Sequence, residues 1–263
     1  MNDILSMNGK VALVYDAGQN VGRQIALHLA EHGAEGVVVN DYFLDRAQTV
    51  ADEINAGGGS AIALHADVSS HDSVKAMFAK AVEKYGHIDA LVNNAGNAGA
   101  VPDEGARKPF YETDPEVWRS WIGVNFGGVI NRTALALPGM IERKPGKIGT
   151  IISDASRFGD AGMKVYAGAK AGAAGFMRSV ACGMGRHNIN ANSVVIAAMG
   201  TPMIEARLAA DLERKKRMLE KYIIRRLSQP SDVANMVLYL SSNASDYITG
   251  QTYPVNGGFT FAL

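Results

Sequence analysis

The chain predicts a doubly wound α/β fold, a seven-stranded parallel sheet flanked by helices. Short apolar runs alternate with amphipathic stretches of ten or more residues, the pattern of βαβ units buried on both faces. A glycine-containing turn follows the first strand and opens the first helix. No Pro/Ser/Gly linker, no low-complexity tract and no repeat of roughly 20–50 residues divides residues 1–263, which therefore read as a single domain.

Each element has a local reason. Residues 10–15 are a short apolar run, the first strand, and residues 21–32 an amphipathic first helix. Residues 36–40, with Val37, Val38 and Val39, form a second strand buried on both faces. A helix at 44–56 follows and stops at Gly57-Gly58-Gly59, since glycine accepts positive φ at little cost. Residues 61–66 and 73–85 are the third strand and helix, and 88–92 the fourth strand. Asp114-Pro115 opens a long helical region to about Arg143, with proline where its missing N–H costs nothing. Residues 147–153 are the fifth strand, 163–187 a long helix of small residues, and 189–195 the sixth strand. A helix starts near Ser231, and residues 251–255 complete the sheet. Residues 199–229 read as a substrate-side lid. Its charged part, with Arg214-Lys215-Lys216-Arg217, is expected to be a solvated helix that turns Leu212, Met218, Leu219 and Ile223 inward.

Composition narrows the function. Lys+Arg and Asp+Glu are 26 each among 263 residues, and a chain without net charge lacks the basic surface that nucleic acid or an acidic membrane needs. Hydrophobic residues at 47% supply a sizeable core. The single cysteine, Cys182, cannot pair within the chain, which fits a reducing, cytoplasmic setting. Residues 1–10 lack the apolar core of a secretion signal, and no run is long enough to span a membrane. Glycine is in excess, 29 of 263, against a usual share of about 7%.

The turn Tyr15-Asp16-Ala17-Gly18-Gln19-Asn20-Val21-Gly22 lies between the first strand and the first helix. A dinucleotide-binding (Rossmann-type) fold puts a pyrophosphate there, on free backbone N–H groups at a positive helix end. Asp41 ends the second strand, where a carboxylate accepts from the adenosine ribose hydroxyls and repels a 2′-phosphate. That favours NAD over NADP.

Further motifs follow in order. Asp67-Val68 comes after the third strand and Asn93-Asn94-Ala95-Gly96 after the fourth. Val124-Asn125-Phe126 lies on the long helix, Ser153 thirteen residues before Tyr166, and Tyr166 four before Lys170. The sequence closes on Ile248-Thr249-Gly250-Gln251 and Val255-Asn256-Gly257-Gly258. This order resembles the short-chain dehydrogenase/reductase family, in its single-domain form of about 250 residues, over essentially the whole chain. The resemblance implies NAD held by Gln19, Asn20, Val21, Gly22, Asp41, Asp67, Val68, Asn94, Ala95, Gly96, Tyr166, Lys170, Met199 and Thr201. It also implies a homotetramer, with residues 114–143 and 163–187 in one interface. Two places depart from the family. In its TGxxxGxG loop the threonine and first two glycines are here Tyr15, Asp16 and Asn20, and Ile196-Ala197 replaces the usual Pro-Gly. Asparagine tolerates left-handed φ. Asp16 adds a Cβ and a negative charge near the pyrophosphate.

The residue types suit hydride transfer between NAD(H) and a secondary alcohol or ketone. Tyr166 and Lys170 share a helix face. A free phenol has pKa near 10, and a nearby ammonium with the positive nicotinamide is expected to lower it toward working pH. Ser153 would orient the substrate oxygen, in preference to Ser156, and Asn125 would hold a water linking Lys170 to solvent. His28-Leu29-Ala30-Glu31-His32 spells a zinc-peptidase signature, but it lies on a helix that must pack on the sheet, and no metal is expected.

Residues 97–101, 154–163 and 199–221 should face the substrate. Phe158, Met163, Met199 and Met203 among them point to an apolar or bulky molecule. The run 153–159 is similar to family members acting on cyclic or acyl-thioester alcohols, and the lid's basic run is placed to meet acidic groups such as coenzyme A phosphates. The alternative function is a catalytically idle, nucleotide-sensing or scaffold protein that kept the fold.

Overall fold

The computed structural model describes residues 3–96 and 109–261. Seven parallel strands, β1 (Val11–Val14), β2 (Gly36–Asp41), β3 (Ala61–His65), β4 (Ala90–Asn93), β5 (Gly146–Ser153), β6 (Ile189–Ile196) and β7 (Thr252–Val255), form one sheet in the order β3-β2-β1-β4-β5-β6-β7. The order reverses between β1 and β4, and a doubly wound sheet opens its binding crevice at that switch point.

Strand β1 shows why the sheet is covered on both sides. Ala12 and Val14 point into a core built with α1 (Asn20–Glu31), α2 (Leu44–Ala56) and α10 (Pro230–Ser241). Val11, Leu13 and Tyr15 point into a second core with α3 (His71–Tyr85), α5 (Gly128–Arg143) and α7 (Lys164–Met184). At about 25 cal/mol per Å² of apolar surface, burial on both faces is what holds such central strands.

The helical region after β4 runs to Arg143 as expected, through α4 (Pro115–Ile122), one π turn at Gly123–Gly127, and α5. Three expectations are corrected. Left-handed φ falls on Gly58 (+87°), while Gly57, which caps α2, sits at −77°. A short α6 (Ala155–Phe158) follows β5, and the long helix that comes next ends at Met184. The lid folds as two helices, α8 (Pro202–Ala209) and α9 (Leu212–Leu219). Leu212 and Ile223 are 70% and 71% exposed, because Leu208 and Tyr222 take the inward positions, and the Ala198 N–H donates to the Tyr222 hydroxyl. Both ends of the lid are pinned where Met199 bridges Ser228 in parallel fashion. No helix among the described residues is long and apolar enough to cross a membrane.

Candidate active site

A cleft of about 160 Å³ opens at the C-terminal edge of the sheet. One wall is the turn after β1, with Asp16, Gln19, Asn20, Val21 and Gly22. The other brings Tyr166 and Lys170 from α7, with Asn94 and Gly96 at the end of β4. Met199 and Thr201 close it from the lid side, with Ile151, Ile152 and Ile196 at its base. Ten of the sequence-predicted residues therefore meet on one space. The three isoleucines are invisible to motif reading, because a buried strand carries isoleucine whether or not a cleft ends on it.

The turn keeps its shape without the usual glycines. Asp16 and Asn20 sit at φ +51° and +48°, in the left-handed region that glycine would supply. The Asp16 carbonyl accepts from Asn94 Nδ2 at 3.0 Å, tying the turn to β4. At Gly22 a Cβ would lie 2.0 Å from that same carbonyl oxygen, so only glycine fits. Gly18 is required for another reason: a Cβ there would meet Arg46 Cβ at 2.5 Å and Asp41 Oδ2 at 2.6 Å. The N-terminus of α1 has no side-chain cap and no acidic residue in its first turn. Its amides are thus free to take an anion, which fits the pyrophosphate of a dinucleotide.

Asp41 is 2% exposed, and its two oxygens accept from Gly18 N at 3.0 Å and Phe43 N at 2.9 Å. It braces the turn from β2. Asp67 Oδ1 accepts from the Ser69 amide and hydroxyl, and the Val68 carbonyl accepts from Asn131 Nδ2. These two residues, with Asp41, Ala95, Asn125 and Ser153, stand outside the cleft wall itself. Residues 97–101 lie outside the described residues, as does the side chain of Met203.

Ser153, Tyr166, Lys170 and Asn125 are close together. Ser153 is close enough to Tyr166 to lower its pKa, and Ser153 Oγ accepts from Ala155 N at 3.2 Å. Ser156 instead spends its hydroxyl on the Ser153 carbonyl, at 2.6 Å. Lys170 Nζ donates to the Ile151 carbonyl at 2.9 Å and the Ala95 carbonyl at 3.5 Å, and lies 5.8 Å from the Tyr166 ring centre. A Cβ at Gly96 would stand 2.4 Å from that Nζ and 3.4 Å from Asn125 Oδ1, so both groups converge on Gly96. The π turn sets Asn125, whose Nδ2 donates to the Trp121 carbonyl at 2.8 Å. Trp121 in turn packs edge-on against Tyr166, with ring centres 5.5 Å apart.

In the protein alone, burial raises the Tyr166 phenol above its ordinary pKa, against a lowering by Ser153. Burial, and then Arg132, bring Lys170 down to about 7, while Asp16 pulls it up. The lowering expected of the phenol includes the charge of a bound nicotinamide, which the protein alone does not supply.

Some residues here are silent in sequence patterns. Arg132 lies on the inward stripe of α5 with Val129, Thr133 and Ala136, where a charge is the only hint. Asp154, 1% exposed, accepts from Asn256 Nδ2 at 2.7 Å and from the Thr260 hydroxyl, tying the segment after β7 to the end of β5. Phe158 packs edge-on against Phe259, and Met199 faces the cofactor-side cleft. A second cavity of about 500 Å³ also reaches Tyr166, between Phe110, Trp118, Trp121, Met163 and Lys164. His28 sits beside Glu31, and His32 beside Asp3. Among the described residues no group of three His, Cys, Asp or Glu could hold a metal.

Asp16 makes one stability prediction. Burial first, then Asp41, raise its pKa from 3.8 to about 6. A raised carboxylate pKa means that the fold prefers the proton. The group is neutral below about 4 and costs stability increasingly as pH climbs to 6. Asp16→Asn should therefore stabilise the chain by about 1–2 kcal/mol at pH 8, with the gain fading below pH 4. Thermal melting across pH tests this, and a pH-independent difference would refute it.

Comparison with known proteins agrees with this geometry. A family model described as Enoyl-(Acyl carrier protein) reductase matches residues 17–260. The 7alpha-hydroxysteroid dehydrogenase of Escherichia coli strain K12 is 35% identical over 257 residues, covering 98% of this chain and 96% of that enzyme. A solved 7alpha-hydroxysteroid dehydrogenase, complexed with NADH and 7-oxo glycochenodeoxycholic acid, superposes with TM-score 0.88 at 34% identity, covering 98% of this chain and 97% of that one. A gluconate 5-dehydrogenase from Burkholderia cenocepacia J2315, in complex with NADP and tartrate, superposes with TM-score 0.89 at 30% identity over 99% of both chains.

Proposed function

The chain belongs to the short-chain dehydrogenase/reductase family, and on that premise we propose that it oxidises a secondary alcohol, or reduces the ketone, with a nicotinamide cofactor. The observation that carries this is the convergence on one cleft of Tyr166 and Lys170, with Lys170 Nζ 5.8 Å from the Tyr166 ring centre, and an uncapped helix N-terminus. The cofactor, when bound, supplies the hydride acceptor or donor and, oxidised, a positive charge.

The chain's own groups handle the proton. Tyr166 takes it from the alcohol hydroxyl, or returns it to the ketone oxygen. Ser153 donates to the substrate oxygen and fixes its direction. Lys170 holds positive charge beside the phenolate, and Asn125 positions water on the path from Lys170 to solvent. Gln19, Asn20, Val21, Gly22, Asp41, Asp67, Val68, Asn94, Ala95, Gly96, Tyr166, Lys170, Met199 and Thr201 hold the cofactor. The idle alternative rests on Asp16, Asn20 and Ile196-Ala197; Asp16 and Asn20 keep the left-handed backbone that glycine would provide, and Ile196 lines the cleft.

NAD is the cofactor that Asp41 favours. One relative is solved with NADH and another with NADP, so the choice rests on this carboxylate, close to Gly18 N, where a 2′-phosphate would meet a second negative charge. In fluorescence titration NADH should bind about tenfold or more tightly than NADPH, a modest value for one opposed charge; tighter NADPH binding would sink the assignment. The cavity beside Tyr166, walled by two tryptophans, a phenylalanine and a methionine, suits an apolar cyclic or acyl-thioester substrate. A screen of secondary alcohols and ketones at the nicotinamide absorbance band tests this, and turnover confined to small polar polyols would overturn it. We assign the chain to a cytoplasmic homotetramer with α4, α5 and α7 in one interface, residues 1–263 forming one dinucleotide-binding domain with 199–229 as its lid. Sedimentation as a monomer would refute the assembly.

A further inference from the structure

Arg132 is buried against Tyr15, the residue before Asp16, and Asp16 lines the cleft where the family's loop has glycine. Arg132 is fully buried on α5, its guanidinium 4.8 Å from the Tyr15 ring centre. None of its three nitrogens has a hydrogen-bond partner among the described residues. A buried guanidinium left so is costly, and burial brings its pKa down to about 10. Tyr15, which stacks with Arg132 and precedes Asp16, also has a buried hydroxyl without a partner among the described residues. Asp16 lines the cleft, and its charge interacts with that of Arg132. Tyr15 and Asp16 stand where the family's phosphate loop has threonine and glycine, and Arg132 packs behind Tyr15 from α5.

We propose that Asp16 and Arg132 are a compensating charge pair: the guanidinium behind Tyr15 offsets the carboxylate that Asp16 presents to the cleft, so that the cleft still accepts a pyrophosphate. The inference rests on the functional reading above. A carboxylate beside the pyrophosphate site repels it, and the buried Arg132 cation, whose charge acts on Asp16, opposes that field. The other charges facing Asp16 are Asp41 at the end of β2, Arg46 on α2 and Lys170 on α7. Asp41 and Arg46 oppose each other, and Lys170 is committed to the Ile151 and Ala95 carbonyls. Arg132 is the cation left to answer Asp16.

The test is NADH titration by fluorescence at pH 8 on four proteins. Asp16→Asn should tighten binding about tenfold and Arg132→Met weaken it about tenfold, the effect of one charge in a partly wet cleft. The double variant should return to within about threefold of wild type, because the two charges cancel. Below about pH 5 wild type and Asp16→Asn should converge, since the carboxyl is then protonated. Two single variants moving Kd in the same direction, or leaving it unmoved, overturn the pairing. If Arg132→Met does not fold, Arg132→Lys keeps the charge and should bind as wild type does; weak binding by a folded Arg132→Lys, or an Asp16→Asn Kd that follows wild type at every pH, overturns it. A wild-type chain that binds neither NADH nor NADPH at millimolar concentration overturns the functional reading, and this inference with it.

Discussion

Tyr166→Phe loses turnover by about a thousandfold or more, the share of rate that a positioned acid/base supplies, while NADH binds within about twofold of wild type. The change removes one oxygen. The ring stays edge-on to Trp121 and over Lys170, so packing is retained. What disappears is the proton acceptor beside Ser153. Steady-state kinetics and a fluorescence titration on the same preparation separate the outcomes. Substantial turnover in the variant would remove Tyr166 from the mechanism. Lost NADH binding would mean that the hydroxyl organises the cleft rather than the chemistry.

Lys170→Met should be nearly as severe, about a hundredfold in kcat, with a change in pH dependence that Tyr166→Phe cannot show. Oxidation requires deprotonated Tyr166, so the wild-type rate climbs with pH until the phenol has ionised. Without an ammonium beside it, the phenol ionises at higher pH, and that rise shifts alkaline by about one to two units, each worth 1.36 kcal/mol. Stability should move the other way. Burial depresses Lys170 from 10.5 to about 7, so its contribution is fully present above 10.5 and is lost as pH falls through 7. Methionine removes that penalty but abandons the hydrogen bonds to Ile151 and Ala95, each worth about 1 kcal/mol. The variant should be the more stable protein at pH 6, by about 1–2 kcal/mol, and lose that advantage near pH 10. An unshifted pH–rate curve would show that Lys170 acts only by position.

The two variants also mark how much of the site could be read before folding. Tyr166 and Lys170 are four residues apart on one helix, Gly22 lies in the first turn of the helix after β1, and Asn94 follows β4, so local spacing already puts them at the crevice of a parallel sheet. The lid was legible only as charge. Leu212 and Ile223 lie outward although helical periodicity favoured them as inward, because Leu208 and Tyr222 occupy the space beneath. The π turn at Asn125 has no signature in the residue pattern, since GVNFG would extend an α-helix equally well.

The family resemblance named the candidate proton-transfer set; by itself the sequence determined the order of the elements and the burial of the strands on both faces. Those follow from apolar periodicity and short-range spacing, which are local properties. The tertiary structure decided the electrostatics. It buried Arg132 behind Tyr15, held Asp16 and Asn20 in left-handed backbone, locked both oxygens of Asp41 on loop amides and set Lys170 near neutrality. The physical reason is that periodicity tells which face of an element is covered, but not which charge covers it. A pKa depends on groups brought close from β1, β2, α5 and α7, more than a hundred residues apart in the chain between Asp16 and Lys170.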